Sequence, residues 1–179
     1  MERTLNKEYF YPLCTTLAQV MIGSLVIALL AQISIALPFS LVPFTGQTLG
    51  VMGVGAFLGS KKGGAASLLY LVEGAIGWPV FAGGVGGVTY FLGATGGYLL
   101  TYPLVSYYVG KTYENQALKA WEKLGLLTYI SVLQLSTGSL WLASFLGIKQ
   151  AYLSGFSPFI LLELCKVGMV WTLIKRGRK

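Results

Sequence analysis

The chain has 179 residues, 55% of them hydrophobic and only 11% charged, with a formal net charge of +7 and a mean hydropathy of +0.69. Soluble domains carry about 25% charged residues, so this chain lacks the polar surface to coat a globule in water and reads as an all-α, multi-pass integral membrane protein. It has no histidine, and its acids are all glutamate (Glu2, Glu8, Glu73, Glu114, Glu122 and Glu163), which excludes His-ligated metal sites and Ser–His–Asp triads.

The segment Met1–Tyr11 is charged, and the apolar run that follows outlasts the core of a signal peptide without a small-residue cleavage site. It is expected to be a retained span over residues 12 to about 35. After the turn-rich "LPFSLVPFTG", a second apolar run covers residues 47–59 and stops at Lys61 and Lys62. A third covers 63 to about 78, a fourth about 90–109, a fifth 124–146 and a sixth 158–174. A spanning helix takes about 20 apolar residues, so the second and third are short and are expected to tilt or to be partly re-entrant. The expectation is one six-helix membrane domain over residues 1–179, with a cytoplasmic segment 1–11 and a basic tail 175–179.

The basic residues select an orientation. With the N-terminus inside, Arg3, Lys7, Lys61, Lys62, Lys111, Lys119, Lys123, Lys175, Arg176, Arg178 and Lys179 all fall in the cytoplasm, 11 of the 13 Lys and Arg. Only Lys149 lies outside, and Lys166 falls within the last span. This is the positive-inside pattern, with both termini cytoplasmic, and the excess charge needs no nucleic acid as a partner.

Three segments then face outward: about 38–46, about 78–89 and 148–157. The middle one belongs to "GAIGWPVFAGGVGGVTYFLG", in which seven of twenty residues are glycine and none is charged. Glycine-rich backbone permits close approach, and irregular backbone at membrane depth survives only against protein or a cavity. The stretch reads either as a cap over a pocket, with Trp78, Phe81 and Tyr90 as walls, or as a flexible connector.

Three ionisable residues sit inside apolar runs: Glu73, Glu163 and Lys166. Each is costly against lipid and is expected to face the bundle interior or a wet cavity. Glu163 and Lys166 are spaced i,i+3 on one helical face, close enough to pair. They read as a self-neutralising structural ion pair or as a polar hook for a ligand. Small residues at four-residue spacing (Gly46/Gly50, Gly55/Gly59, Gly93/Gly97) read as helix-packing positions. Cys14 and Cys165 fall in predicted spans and form no disulfide framework. "GKT" at Gly110–Thr112 lacks the strand–loop–helix setting of a phosphate loop, so any ATP-driven step needs other subunits.

The stretches "AQISIALPFSLVPFTGQTLGVMGVGAFLG", "GAIGWPVFAGGVGG" and "GATGGYLLTYPL" together resemble the BioY family, biotin-specific substrate-binding components of energy-coupling-factor transporters. The likeness covers about residues 24–175. It implies six helices, cytoplasmic termini, a bacterial cytoplasmic membrane and a biotin pocket near the outer face. It implies as partners a transmembrane coupling protein and two ATP-binding-cassette ATPases, and no cofactor beyond biotin as transported ligand. An acid-x-x-Lys pair serves the ligand in that family and maps onto Glu163 and Lys166. With the residues' own chemistry, the implied site is Thr45, Gln47, Glu73, Trp78, Phe81, Gly83, Gly84, Tyr90, Glu163 and Lys166. A small-residue docking motif of the first helix maps onto Ser24 and Ala28. The chain departs from the family pattern at Glu163, where aspartate is usual, at Gly46, where a larger apolar residue is usual, and at Glu73, where leucine is typical. The alternative is a self-sufficient permease for a small carboxylate vitamin, with Glu73, Glu163 and Lys166 as a proton relay. An embedded enzyme is a third reading, with little chemistry to support it.

Overall fold

The computed structural model describes residues 2–177, with side chains over 12–175. The first helix, α1, covers Glu2–Ala31. Two short strands, β1 (Ser34–Ile35) and β2 (Phe44–Thr45), pair antiparallel with Ser34 opposite Thr45. Helices α2 (Gln47–Leu58) and α3 (Ser60–Ala75) follow, hinged at Gly59. After the glycine-rich loop come α4 (Thr89–Leu92), α5 (Gly96–Leu100) and α6 (Tyr102–Glu114). Helix α7 spans Ala120–Leu146, and α8 (Ile148–Ala151) runs through a π-helical turn, Tyr152–Phe156, into α9 (Ser157–Gly177).

Among the described residues, three stretches are long and apolar enough to cross a membrane: Pro12–Ala31, Ala120–Leu146 and Ile148–Lys175. Helix α2, at 12 residues, is only about 18 Å long, short of the roughly 30 Å hydrocarbon core. The expected fourth span is not one helix. It is broken twice, at Gly93–Thr95 and at Thr101, and Pro103 opens the first turn of α6, where its missing N–H costs nothing.

The outer surface of the bundle is apolar as well as its core. On α1, Leu13, Leu17, Met21, Ile22, Leu25 and Leu29 are all more than half exposed, whereas Ser24, Ile27, Ala28 and Ala31 are buried. With lipid outside, apolar side chains gain little by turning inward, and close backbone approach has to hold the helices together. Glycine provides it: a Cβ on Gly55 would lie 2.2 Å from the Ser106 carbonyl oxygen, and one on Gly97 2.2 Å from Trp141 Cβ. Trp141 Nε1–H also donates to the Gly93 carbonyl at 2.9 Å, so the broken fourth segment is pinned on α7.

The two ends of the bundle differ in charge. Lys62 Nζ donates to Gln19 on α1 at 2.6 Å, and Ser60 N–H donates to Glu114 at the end of α6 at 2.7 Å. Trp171 on α9 donates to the Ala120 carbonyl, and Lys123 lies over the Tyr113 ring. These contacts bring the α2–α3 hinge, the α6–α7 connection and the end of α9 together, and with them Lys61, Lys62, Lys111, Lys119, Lys123 and Lys175. Helix α7 starts at this end, its Glu122 carboxylate accepting from the Lys119 N–H at 2.6 Å in the manner of a capping box. Arg3, Lys7, Arg176, Arg178 and Lys179, counted above as cytoplasmic, lie outside the described side chains.

Candidate binding site

At the opposite end, a cavity of about 370 Å³ opens between the β1–β2 hairpin, the glycine-rich loop, α4–α6, α7 and α9. Its floor is ionic. Lys166 Nζ lies 2.6 Å from Glu163 Oε1 and 2.6 Å from Thr48 Oγ1, Thr48 donates to the same Glu163 oxygen at 2.8 Å, and Ser131 Oγ donates to Glu163 Oε2 at 3.2 Å. Glu163 and Lys166 are only 5% and 6% exposed. Lys166 also sits over the Phe44 ring, 4.6 Å from its centroid, a cation–π contact that ties the hairpin to the floor. Three helices converge here because Thr48 opens α2, Ser131 lies midway along α7, and Glu163 is six residues, about 9 Å, into α9.

A second network stands on α2. Gln47 Nε2 donates to Tyr70 OH at 2.6 Å, and Tyr70 OH donates to the Val80 carbonyl at 3.2 Å. Gln47 Oε1 accepts from Thr45 Oγ1 at 3.0 Å and from Tyr102 OH at 3.3 Å. The amide is thereby fixed in orientation.

The glycine-rich loop presents Phe81 and Ala82 to the cavity. Phe81, 1% exposed, packs against Tyr70, Tyr90 and Phe91, each at 5.6 Å between centroids. Such pairs are worth about 0.5–1.5 kcal/mol each beyond area burial. The ring lies flush on Gly74, where a Cβ would come within 2.0 Å of it. The turn is held by Phe81 N–H on the Val85 carbonyl at 2.9 Å and by Gly87 N–H on the Gly74 carbonyl at 2.7 Å. Gly77, Gly83, Gly84 and Gly87 all have φ between +70° and +114°, a region L side chains rarely adopt. Gln32, at the end of α1, donates to the Ala28, Val80 and Phe81 carbonyls at 3.0, 3.4 and 3.4 Å and tethers the loop to the bundle.

Of the residues singled out from the sequence, Thr45, Gln47, Phe81, Tyr90, Glu163 and Lys166 line the cavity. Gly83 and Gly84 do not: they turn the chain, leaving the wall to their neighbours. Trp78 is 57% exposed, at the end of the bundle. Glu73 points at α1 instead, accepting a hydrogen bond from Ser24. Ser24 and Ala28, expected as a docking surface, are 0% and 8% exposed, so in this conformation they offer no face to another chain. Gly46 is a packing position, its Cβ site 2.5 Å from the Leu30 carbonyl oxygen.

Residues that sequence reasoning did not single out complete the cavity: Thr48, Thr95, Tyr98, Tyr102, Gln134 and Phe159. Tyr98 seats its ring on Gly138, where a Cβ would come within 2.1 Å, and its hydroxyl donates to the Gly155 carbonyl in the π-helical turn at 2.9 Å. A π turn inside a helix frequently marks a functional site. The buried Ser131 and Gln134, one turn apart within the apolar α7, are the signal that was available.

Fold and cavity together define a membrane-embedded helical subunit that holds a small solute near one end of the bundle. A sequence model of the BioY family matches residues 2–179, and the chain belongs to that family. It is 34% identical over 146 residues to a probable biotin transporter of Pyrococcus horikoshii, covering 82% of this chain and 85% of that one. It is 32% identical over 146 residues to a biotin transporter of Thermotoga maritima, covering 81% and 86%. Among solved structures, the S-component for biotin from an energy-coupling-factor (ECF) type ABC transporter superposes with a TM-score of 0.83 at 25% identity, covering 94% of this chain and 93% of that one.

Proposed function

We propose that this chain takes up biotin as the substrate-binding component of an energy-coupling-factor transporter, without enzymatic activity of its own. Its cavity opens outward, and the lysine-rich end lies in the cytoplasm, as the positive-inside rule requires. The bundle makes six crossings of the cytoplasmic membrane, the second and third tilted or re-entrant and the fourth broken, with both termini inside. A transmembrane coupling protein and two ATPases supply the energy.

The observation that carries the reading is the unfilled hydrogen-bonding capacity of the floor. Glu163 accepts three hydrogen bonds and has about one lone-pair site left, on Oε2; Lys166 donates two and has one N–H left. The site therefore wants one donor and one acceptor side by side, which is the N–H/C=O edge of biotin's ureido ring. A carboxylate, acceptor only, would face Glu163 with like charge. The ureido ring accordingly goes to the floor, the thiophane ring against Phe81, Tyr90 and Phe159, and the tail towards the mouth.

Calorimetry with purified chain in detergent tests this: one-to-one biotin binding that Lys166→Met weakens at least tenfold is expected, and no binding by folded wild-type protein overturns it. Uptake in cells separates the coupled transporter from a self-sufficient permease. Dependence on co-expressed ATPases is expected, whereas collapse with a protonophore at constant ATP favours the permease. Glu73, off the cavity wall and engaged by Ser24, does not join Glu163 and Lys166 in a continuous relay.

A further inference from the structure

The side chain of Gln134 is 4% exposed and lines the cavity, yet among the described residues it has no hydrogen-bond partner. Of the other polar residues lining the cavity, Thr45, Gln47, Thr48, Tyr98, Tyr102, Glu163 and Lys166 make side-chain hydrogen bonds, whereas Thr89, Tyr90 and Thr95 present hydroxyls; Gln134 presents an amide, a donor and an acceptor side by side. Its amide opens onto the cavity, where leucine, as at the adjacent Leu135, would serve equally well as a plain apolar wall. Gln134 lies one turn beyond Ser131 on α7, about 4.5 Å further from the ionic floor along the helix, and Ser131 is the residue bonded to Glu163 Oε2. The amide thus lines the same cavity as Glu163 and Lys166, about one helical turn along α7 from the residue bonded to Glu163.

We propose that Gln134 is a specificity-determining residue that reads the second edge of the ureido ring. This rests on the biotin reading above. A cyclic urea presents two N–H/C=O edges that share one oxygen. Glu163 and Lys166 take one N–H and one lone pair of that oxygen. The other edge needs an acceptor and a donor side by side, and a primary amide offers that pair, in the bidentate geometry by which glutamine reads the N–H/N edge of adenine. Gln134 Oε1 accepts the second ureido N–H, and Nε2–H donates to the second lone pair of the carbonyl.

The test is calorimetry of wild type, Gln134→Met and Gln134→Glu with biotin, biotin methyl ester and the two mono-N-methylated ureido isomers. Gln134→Met is expected to weaken biotin about tenfold to hundredfold, the loss of two neutral hydrogen bonds. It is also expected to abolish discrimination against one N-methyl isomer while preserving it against the other, and to leave the biotin-to-ester ratio unchanged. Gln134→Glu keeps the acceptor and should retain the discrimination, which covers the case that Gln134→Met does not fold. Wild-type binding that Gln134→Met alters less than twofold, or equal discrimination against both isomers in wild type and Gln134→Met, overturns the assignment of Gln134 alone. A folded wild type that binds no biotin overturns this assignment together with the function it rests on.

Discussion

Replacing Lys166 by methionine separates the two roles its pairing with Glu163 can have. Methionine keeps the length of the side chain and removes the charge, so the Glu163 carboxylate, 5% exposed, keeps only the Thr48 and Ser131 hydroxyls. Breaking a buried pair by removing one partner costs about 3–5 kcal/mol, because the remaining charge is left uncompensated. The double variant Glu163→Leu with Lys166→Met removes both charges and is expected to recover most of that loss, giving a coupling of about 2–4 kcal/mol in a double-mutant cycle. Biotin binding behaves differently. Each charged group offers the ligand a charge-assisted hydrogen bond worth about 1.5–3 kcal/mol, roughly tenfold to a hundredfold in affinity, and the double variant does not recover it. Unfolding in mixed detergent and calorimetry on the same preparations read the two quantities. If stability and affinity recover together in the double variant, the pair is structural and the account of the floor is wrong.

Gly74→Ala places a Cβ 2.0–2.5 Å from three atoms of the Phe81 ring, so the ring must leave its seat. A stability loss of about 1–3 kcal/mol and weaker biotin binding are expected, the latter because Phe81 is a wall of the cavity; unchanged values for both would show that the ring relaxes freely. Gln32→Leu removes three hydrogen bonds to carbonyls, two of them on the glycine-rich loop, and should raise amide exchange over residues 76–88 while lowering global stability by less than about 1 kcal/mol. Unaltered exchange there would refute the tether. At the lysine-rich end, Glu114 accepts from Ser60 N–H and Oγ, which, with Lys61 and Lys111 nearby, holds its carboxyl below the usual 4.5. A depressed folded value means the contribution to stability is present above pH 4.5 and is lost as pH falls through the folded value. Glu114→Gln should flatten the acid limb of the stability profile, and an identical limb in both proteins would contradict the linkage.

The sequence by itself determined that the chain lives in lipid, because a composition with so little charge cannot be coated by water. It also determined that Glu163 and Lys166 meet, since helical spacing inside an apolar run leaves each no cheaper neighbour. The glycine-rich stretch announced an unusual backbone, but its detail was not legible. Which glycines turn the chain and which residues reach the wall depends on positive φ values at Gly83 and Gly84 that place Phe81 and Ala82 inward. The burial of Ser24 and the swing of Glu73 away from the cavity were decided only in three dimensions. Helical period says which residues share a face, not which neighbouring helix that face meets. Gln134 and Ser131 show the same limit. Each sits in an apolar helix that carries other hydroxyls as well, and only the packing of α7 against α9 sets Ser131 on the Glu163 carboxylate and leaves Gln134 facing the cavity.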